Sequence, residues 1–228
     1  MTARARGAMA RRRSVPRKQV RVAQEERSER SRAQILDAAL CLFSSQGYRG
    51  TSMRDIALAA KVSTGNVYHQ FPDKESLFRT LLDRYFEILA SPDHPLNRAL
   101  ASGAFPEDLE ALGRAAREGV ARYRAYVALI YVDVVEFEGL HILRFYREMA
   151  SRFESFLEAN RDRIRLDRLR PGVSPIAAVM LATRFFYHYF AVELVFKVPH
   201  HFGKDTDEVL RETVDILAHG MLRGDAPR

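Results

Sequence analysis

The sequence predicts an all-α protein with a small N-terminal head of short helices and a larger helical domain behind it. Three observations carry this prediction. Apolar residues recur with helical spacing along almost the whole chain, no stretch of useful length alternates as a strand would, and Pro and Gly clusters fall between the periodic segments. With 228 residues, 47% of them hydrophobic and 29% charged, the chain can bury a substantial core.

Residues 1–27 form a basic arm. Arg4, Arg6, Arg11, Arg12, Arg13, Arg17, Lys18 and Arg21 lie in the first 24 residues with no acid among them; without these eight, the net charge of +7 becomes −1. Like charges and few apolar residues predict disorder in the free chain. Two readings stay open, a phosphate-binding arm and a dispensable solvated tail, and Met9 competes with Met1 as the start. No apolar run follows the charges as in a secretory leader. Cys41 is the single cysteine and falls in an apolar helical pattern, which predicts a small core residue and a reducing, cytoplasmic setting.

A first helix is predicted over residues 28–45, with Ile35, Leu36, Ala39, Leu42 and Phe43 on one face and Gly47 and Gly50 ending it. A very short helix then runs to Ala60, opened by Thr51-Ser52 with Asp55 three residues beyond Ser52. After Lys61-Val62, Ser63 caps a second short helix over Thr64 to Gln70, which Pro72 ends. Asp73 caps a longer helix through Leu77, Leu81, Leu82 and Phe86. Two such short helices are unstable alone. Ile35, Leu36, Leu42 and Phe43 supply cover for Ile56, Val62, Val67 and Phe71, and the small Ala57 and Ala60 permit a close crossing. This is the build of a helix-turn-helix over about 52–71, whose second helix enters the major groove by its N-terminal residues. Ser63, Thr64 and Asn66 are short donors and acceptors suited to base edges, and Gly65 lets the backbone approach. Tyr68, His69 and Lys74 can donate to phosphates.

The run Ile35-Leu36-Asp37-Ala38-Ala39, Leu42-Phe43, Gly47-Tyr48, Thr51 to Ala57, Val62-Ser63, Val67-Tyr68 and Phe71 to Glu75 resembles the N-terminal signature of the tetracycline-repressor (TetR) family. The resemblance covers about 55 residues. It implies an all-helical two-fold dimer with a DNA-binding head over residues 28–88 and an effector-binding and dimerisation domain over 89–223, leaving 224–228 as a tail. It also implies that Ser63, Thr64, Gly65 and Asn66 face bases and that Thr51, Ser52, Arg54, Tyr68, His69 and Lys74 touch the DNA backbone. The family commonly has glycine where this chain has Lys61, so a left-handed residue there carries a modest strain cost.

Beyond the breakers at Ser91 to Pro95 and Gly103 to Pro106, long helices are predicted at about 107–134, 138–163, 175–197 and 205–222. The stretch Ile176 to Phe196 is apolar nearly all round but contains Arg184, His188 and Glu193, which argues for a helix buried in protein and against a membrane span. It and the stripe Val209, Leu210, Thr213, Val214, Leu217 and Met221 are the expected homodimer helices. Tyr123, Phe137, His141, Phe145, Phe185 and Tyr189 are the candidate lining of an apolar effector pocket, with ordinary core packing as the competing role.

No phosphate-cradling Gly loop, nucleophile elbow or zinc-helix motif is present, and neither His141 nor His188 has a metal-ligand partner at helical spacing. The expectation is a sequence-specific regulator of double-stranded DNA with a palindromic operator, no cofactor and no catalytic or metal residues, released by a small, largely apolar effector. The alternative is a DNA-bound scaffold that works through a protein partner.

Overall fold

The computed structural model describes residues 17–103 and 105–222. Among them the regular elements are ten α-helices and one 3-10 turn. The head is built from α1 (Arg17–Gln46), α2 (Met53–Ala59) and α3 (Thr64–Gln70), joined to the body by α4 (Lys74–Ala90). The body adds α5 (Pro95–Ala101), α6 (Leu109–Arg122), α7 (Arg124–Phe137), α8 (Leu143–Ala159), α9 (Pro175–Leu194) and α10 (Thr206–Met221).

The first helix begins earlier than expected. It runs from Arg17, so residues 17–27 are helical and the disordered arm predicted over 1–27 does not extend through them. No Gly or Pro interrupts Arg17–Gln46, and Arg21 pairs with Glu25 one turn on at 3.0 Å. Such exposed pairs add only about 0.2–0.5 kcal/mol, so uninterrupted propensity does most of the work. The prediction for residues 1–16 and for 223–228 lies outside the described residues. Cys41 is exposed, a correction to its expected core role. It sits two residues from Ala39 and from Phe43, on the opposite side of the helix from both.

The head's core follows the predicted face: Ile35, Leu36, Phe43, Ile56, Val67 and Phe71 are buried together. That cluster does not stop at the head. It continues through Leu77, Phe78, Leu81, Leu82 and Tyr85 of α4 into Tyr126, Val127 and Leu129 of α7. The helix predicted over 107–134 is two helices, α6 and α7, which break at Tyr123. Similarly, α8 covers only Leu143–Ala159 and α9 ends at Leu194. The breaker at Ser91 to Pro95 holds a helix of its own, because Pro95 suits the first position of α5.

Within the body, α9 lies in the centre. Among the described residues it is the one helix with the length and hydropathy to cross a membrane. Its buried side chains, Ala178, Val179, Ala182, Phe186 and Phe190 among them, fill the two body clusters instead. Gly113 on α6 permits close packing here: a Cβ would run into Leu210 Cδ1.

Candidate functional site

Each short helix of the head is closed by its own caps. Ser52 Oγ accepts from Asp55 N–H at 3.1 Å, and the Asp55 carboxylate accepts from Ser52 N–H at 2.9 Å and from Ser52 Oγ at 2.6 Å. The Ser52 hydroxyl, foremost, holds the Asp55 carboxyl below its ordinary value. At the other end of α2, Lys61 N–H donates to Leu58 O and Val62 N–H to Ala57 O, with Lys61 left-handed at φ 56°. This pairing satisfies two orphan carbonyls and holds the turn at a strain cost of roughly 1 kcal/mol for a residue with a Cβ. Ser63 Oγ then caps α3 by accepting from Asn66 N–H at 3.1 Å.

The predicted base-contact residues are not equivalent. Ser63, Thr64 and Gly65 are exposed at the start of α3. Asn66 is half-buried, and its Oδ1 accepts from Ser31 Oγ of α1 at 3.2 Å, which leaves the amide nitrogen as its free donor. Gln70 Nε2 donates to Ser28 Oγ at 2.8 Å, Arg32 donates to Gln70 O at 3.2 Å, and the Arg32 guanidinium stands 4.3 Å over the Phe71 ring. Thus α1 grips α3 along its length.

The predicted backbone-contact set divides further. Arg54, Tyr68 and His69 are exposed, and Tyr68 turns a large ring outward. Thr51 is a correction: it is 1% exposed, and its hydroxyl donates to Gly47 O at 2.9 Å and accepts from Gln46 at 3.3 Å. Its side chain closes the α1–α2 turn and does not face a partner. The Ser52 hydroxyl is spent on the cap. Lys74 is the second correction. Its Nζ donates to Tyr48 O and Thr51 O, both at 2.8 Å, and lies 4.0 Å over the Tyr48 ring. Burial lowers its pKa, with Glu136 opposing. Two of its three donors hold the head together, which leaves one for a phosphate.

Behind the head lies a cavity of about 1040 Å³ walled by α4, α5, α7, α8 and α9. Its wall is mostly apolar, including Tyr85, Leu89, Val127, Tyr131, Phe145 and Phe153. Of the six predicted pocket residues only Phe145 is in this wall, stacked on Phe86 at 4.6 Å. The others are corrections. Phe137 and His141 pack with Phe78 at the head–body junction, at 5.2 and 5.8 Å. Phe185 and Tyr189 sit with Phe202, at 6.4 and 5.2 Å, on another side of α9. Tyr123 stacks on His94 at 5.6 Å but is not itself in the wall.

Sequence reasoning missed His94, Thr183, Arg184, Tyr187 and His188, all of which line the cavity. The four α9 residues share one face with Ala191 by spacing of three and four, a signal hidden by the all-round apolarity of that helix. His94 was hidden in a run of turn residues. It is 1% exposed, its Nε2 is 3.1 Å from Tyr187 Oη, and its Nδ1 is buried with no hydrogen-bond partner. Gly119 makes room for this pair, since a Cβ there would meet Tyr187 Oη at 2.6 Å.

Two contacts bind the cavity's surroundings to the head. Glu136 of α7 accepts the N–H groups of Tyr48 and Arg49 at 2.9 and 2.8 Å. Fully buried Asp133 accepts from Ile142 N–H at 3.2 Å and bonds His141 Nδ1 at 2.6 Å, while His141 Nε2 is 3.5 Å from Glu75 of α4. Ile142 is itself in the cavity wall. Among the described residues no group of His, Cys, Asp and Glu is arranged to hold a metal ion.

Residues 35–81 match the family model described as bacterial regulatory proteins, tetR family. The chain is 39% identical over 113 residues to the HTH-type transcriptional repressor KstR2 of Rhodococcus jostii, covering 46% of this chain and 50% of that one. It is 52% identical over 78 residues to the HTH-type transcriptional regulator HbdR of Aromatoleum, covering 31% and 34% respectively. The match thus spans about half the length or less of these relatives. Among solved structures, NalD of Pseudomonas aeruginosa, described as the secondary repressor of the MexAB-OprM multidrug efflux pump, superposes with a TM-score of 0.57 at 25% identity, covering 87% of this chain and 100% of that one.

Proposed function

We propose that this chain, whose head is a tetR-family DNA-binding domain, acts in the cytoplasm as a dimeric repressor that leaves its operator when a small, largely apolar molecule fills the cavity. The carrying observation is the exposed N-terminal turn of α3, with Ser63, Thr64 and Gly65 free and with Tyr68 and His69 outward, on a helix held by caps and by α1. That arrangement suits a helix entering the major groove, with the short residues at base edges and Arg54, Tyr68 and His69 on phosphates.

A two-fold dimer is supported by the outward apolar residues of the two last helices, Leu181 on α9 and Ile216 on α10. Pairing two heads requires a palindromic operator with half-sites about 34–36 Å apart. The effector reading is supported by the size and apolar wall of the cavity, and by the hydrogen bonds that tie its edge at Ile142 to the head. Thermodynamic coupling is reciprocal, so operator DNA weakens effector binding by the same factor. Footprinting on the DNA upstream of its own gene tests the first part. Two protected half-sites one helical turn apart are expected, and protection without two-fold symmetry counts against a dimeric repressor. Release from that DNA by a cavity ligand tests the second part. A ligand that binds equally with and without operator leaves the scaffold reading in its place.

A further inference from the structure

The cavity wall has a charge pattern that its apolar character conceals. Among the described residues it contains Arg152, Arg184, His94 and His188, and no aspartate or glutamate. Arg152 shares Glu148 with Arg144, at 3.7 Å against 2.8 Å. Among the described residues, Arg184 has no carboxylate within ion-pair distance. Its guanidinium lies 5.6 Å from the Tyr146 ring centre and 3.6 Å from Met149 Sδ. An exposed cation at the margin of an apolar cavity, without a protein counter-charge, disfavours cationic ligands and favours anions.

A second observation comes from the buried side of the wall. His94 is almost fully buried, and burial, with Arg122 and Arg98 adding to it, pushes its pKa down to about 4. It is therefore neutral at physiological pH and has one donor and one acceptor nitrogen. The Tyr187 phenol, whose pKa burial raises, keeps its proton and can donate it to His94 Nε2. In that arrangement Nδ1 carries the ring proton and has no acceptor among the described residues. A buried donor without a partner is costly, and a ligand oxygen that reached it would recover that cost. Two other polar groups of the wall are already committed: Thr183 Oγ1 donates to Val179 O at 2.7 Å and Asn97 Nδ2 to Ser91 O at 2.8 Å.

We infer that the cavity takes an amphipathic carboxylate, its anionic head on Arg184 with Arg152 nearby, its apolar body along the aromatic wall, and a carbonyl or hydroxyl oxygen on His94 Nδ1. This rests on the reading of the cavity as a ligand site, and it narrows the apolar effector to an anion with a second polar group. Arginine suits the head because its fork matches a carboxylate in two parallel hydrogen bonds.

The test is calorimetric titration of the full chain, without DNA, using probes matched in length. Dodecanoate is expected to bind at least tenfold more tightly than dodecylamine, and Arg184→Gln, an exposed substitution, is expected to abolish that preference. Equal affinity of the two probes, or a preference that survives both Arg184→Gln and Arg152→Gln, overturns the anion site. Monomethyl dodecanedioate, which adds an ester carbonyl, reads the second contact. His94→Phe is expected to weaken it at least fivefold more than it weakens dodecanoate, and equal weakening overturns the His94 contact. Circular dichroism verifies that each variant is folded. A fluorescent operator duplex is then added separately. If dodecanoate binds with the expected preference but releases no DNA, the effector reading fails while the anion site stands.

Discussion

Glu136 accepts the backbone N–H of Tyr48 at 2.9 Å although 88 residues separate them, and so a body carboxylate holds the turn that launches the helix-turn-helix. The same carboxylate takes Arg49 N–H, and Gly47 just before them must be glycine twice over. Its φ is +79°, and a Cβ would stand 2.8 Å from Glu136 Oε1. Glu136→Ala leaves two backbone donors without their acceptor and is expected to destabilise the protein by about 1.5–3 kcal/mol, read from the denaturation midpoint. Glu136→Gln, which retains one acceptor oxygen, should lose less. Identical midpoints for the wild type and the alanine variant would show that the clamp contributes nothing.

Lys74 gives a prediction opposite to that for a phosphate ligand. Its two bonds to Tyr48 O and Thr51 O make Lys74→Met a stability mutation, costing about 2 kcal/mol. The slope of log affinity against log salt should change by well under the ~0.9 that one phosphate contact contributes. A stable variant with a slope shallower by a full contact would return Lys74 to the DNA.

Gly65 separates folding from recognition. A Cβ there meets only Ser63 Oγ at 4.0 Å, and the residue has no positive φ to protect. Gly65→Ala should therefore raise stability by about 0.5 kcal/mol, since alanine is the better helix former. Operator affinity should nevertheless fall at least tenfold, because the added methyl blocks backbone approach to the bases. Unchanged operator affinity measured by anisotropy would mean that α3 does not approach DNA through this residue.

His94 makes stability depend on pH. Its folded pKa of about 4 lies below the ordinary histidine value of 6.5. The unfolded chain then binds a proton that the folded chain refuses. Stability is complete above pH 6.5, declines as pH falls toward 4, and loses nothing further from this group below that. The loss is on the order of 3 kcal/mol. His94→Phe keeps a ring against Tyr123 and removes the titration, so the difference in melting temperature between wild type and variant should shrink as pH falls from 7 to 4.5. A constant difference across that range counts against a histidine kept neutral.

The head was readable because its signals are local. Ser52, Ser63 and Asp73 act within three residues of themselves, and the face of Ile35, Leu36, Ala39 and Phe43 repeats with one period. The cavity was not, for the opposite reason. On a helix apolar on all sides, composition does not say which side faces a void, so Phe185 and Tyr189 looked as suitable as Arg184 and Tyr187 one or two positions away. Thr51 and Lys74 were misjudged because their partners are carbonyls of the α1–α2 turn, which carry no side-chain signature. The α1 extension was missed because charge density was weighed against uninterrupted helix propensity, and propensity prevailed from Arg17 onward.

The length of α4 sets a ratio between what happens at its two ends. Tyr85, Leu89 and Ala90 belong to the cavity wall, whereas Lys74 holds the carbonyls of Tyr48 and Thr51 in the head. Seventeen helical residues span roughly 25 Å, so pivoting α4 by about 10° at the cavity carries Lys74 through an arc of roughly 4 Å. In the proposed dimer, two such heads moving apart on a two-fold axis would change their separation by up to about 8 Å, nearly a quarter of the 34–36 Å turn such a pair must match. A small pivot at the aromatic wall would thereby be returned, in that dimer, as a mismatch on the scale of two base pairs.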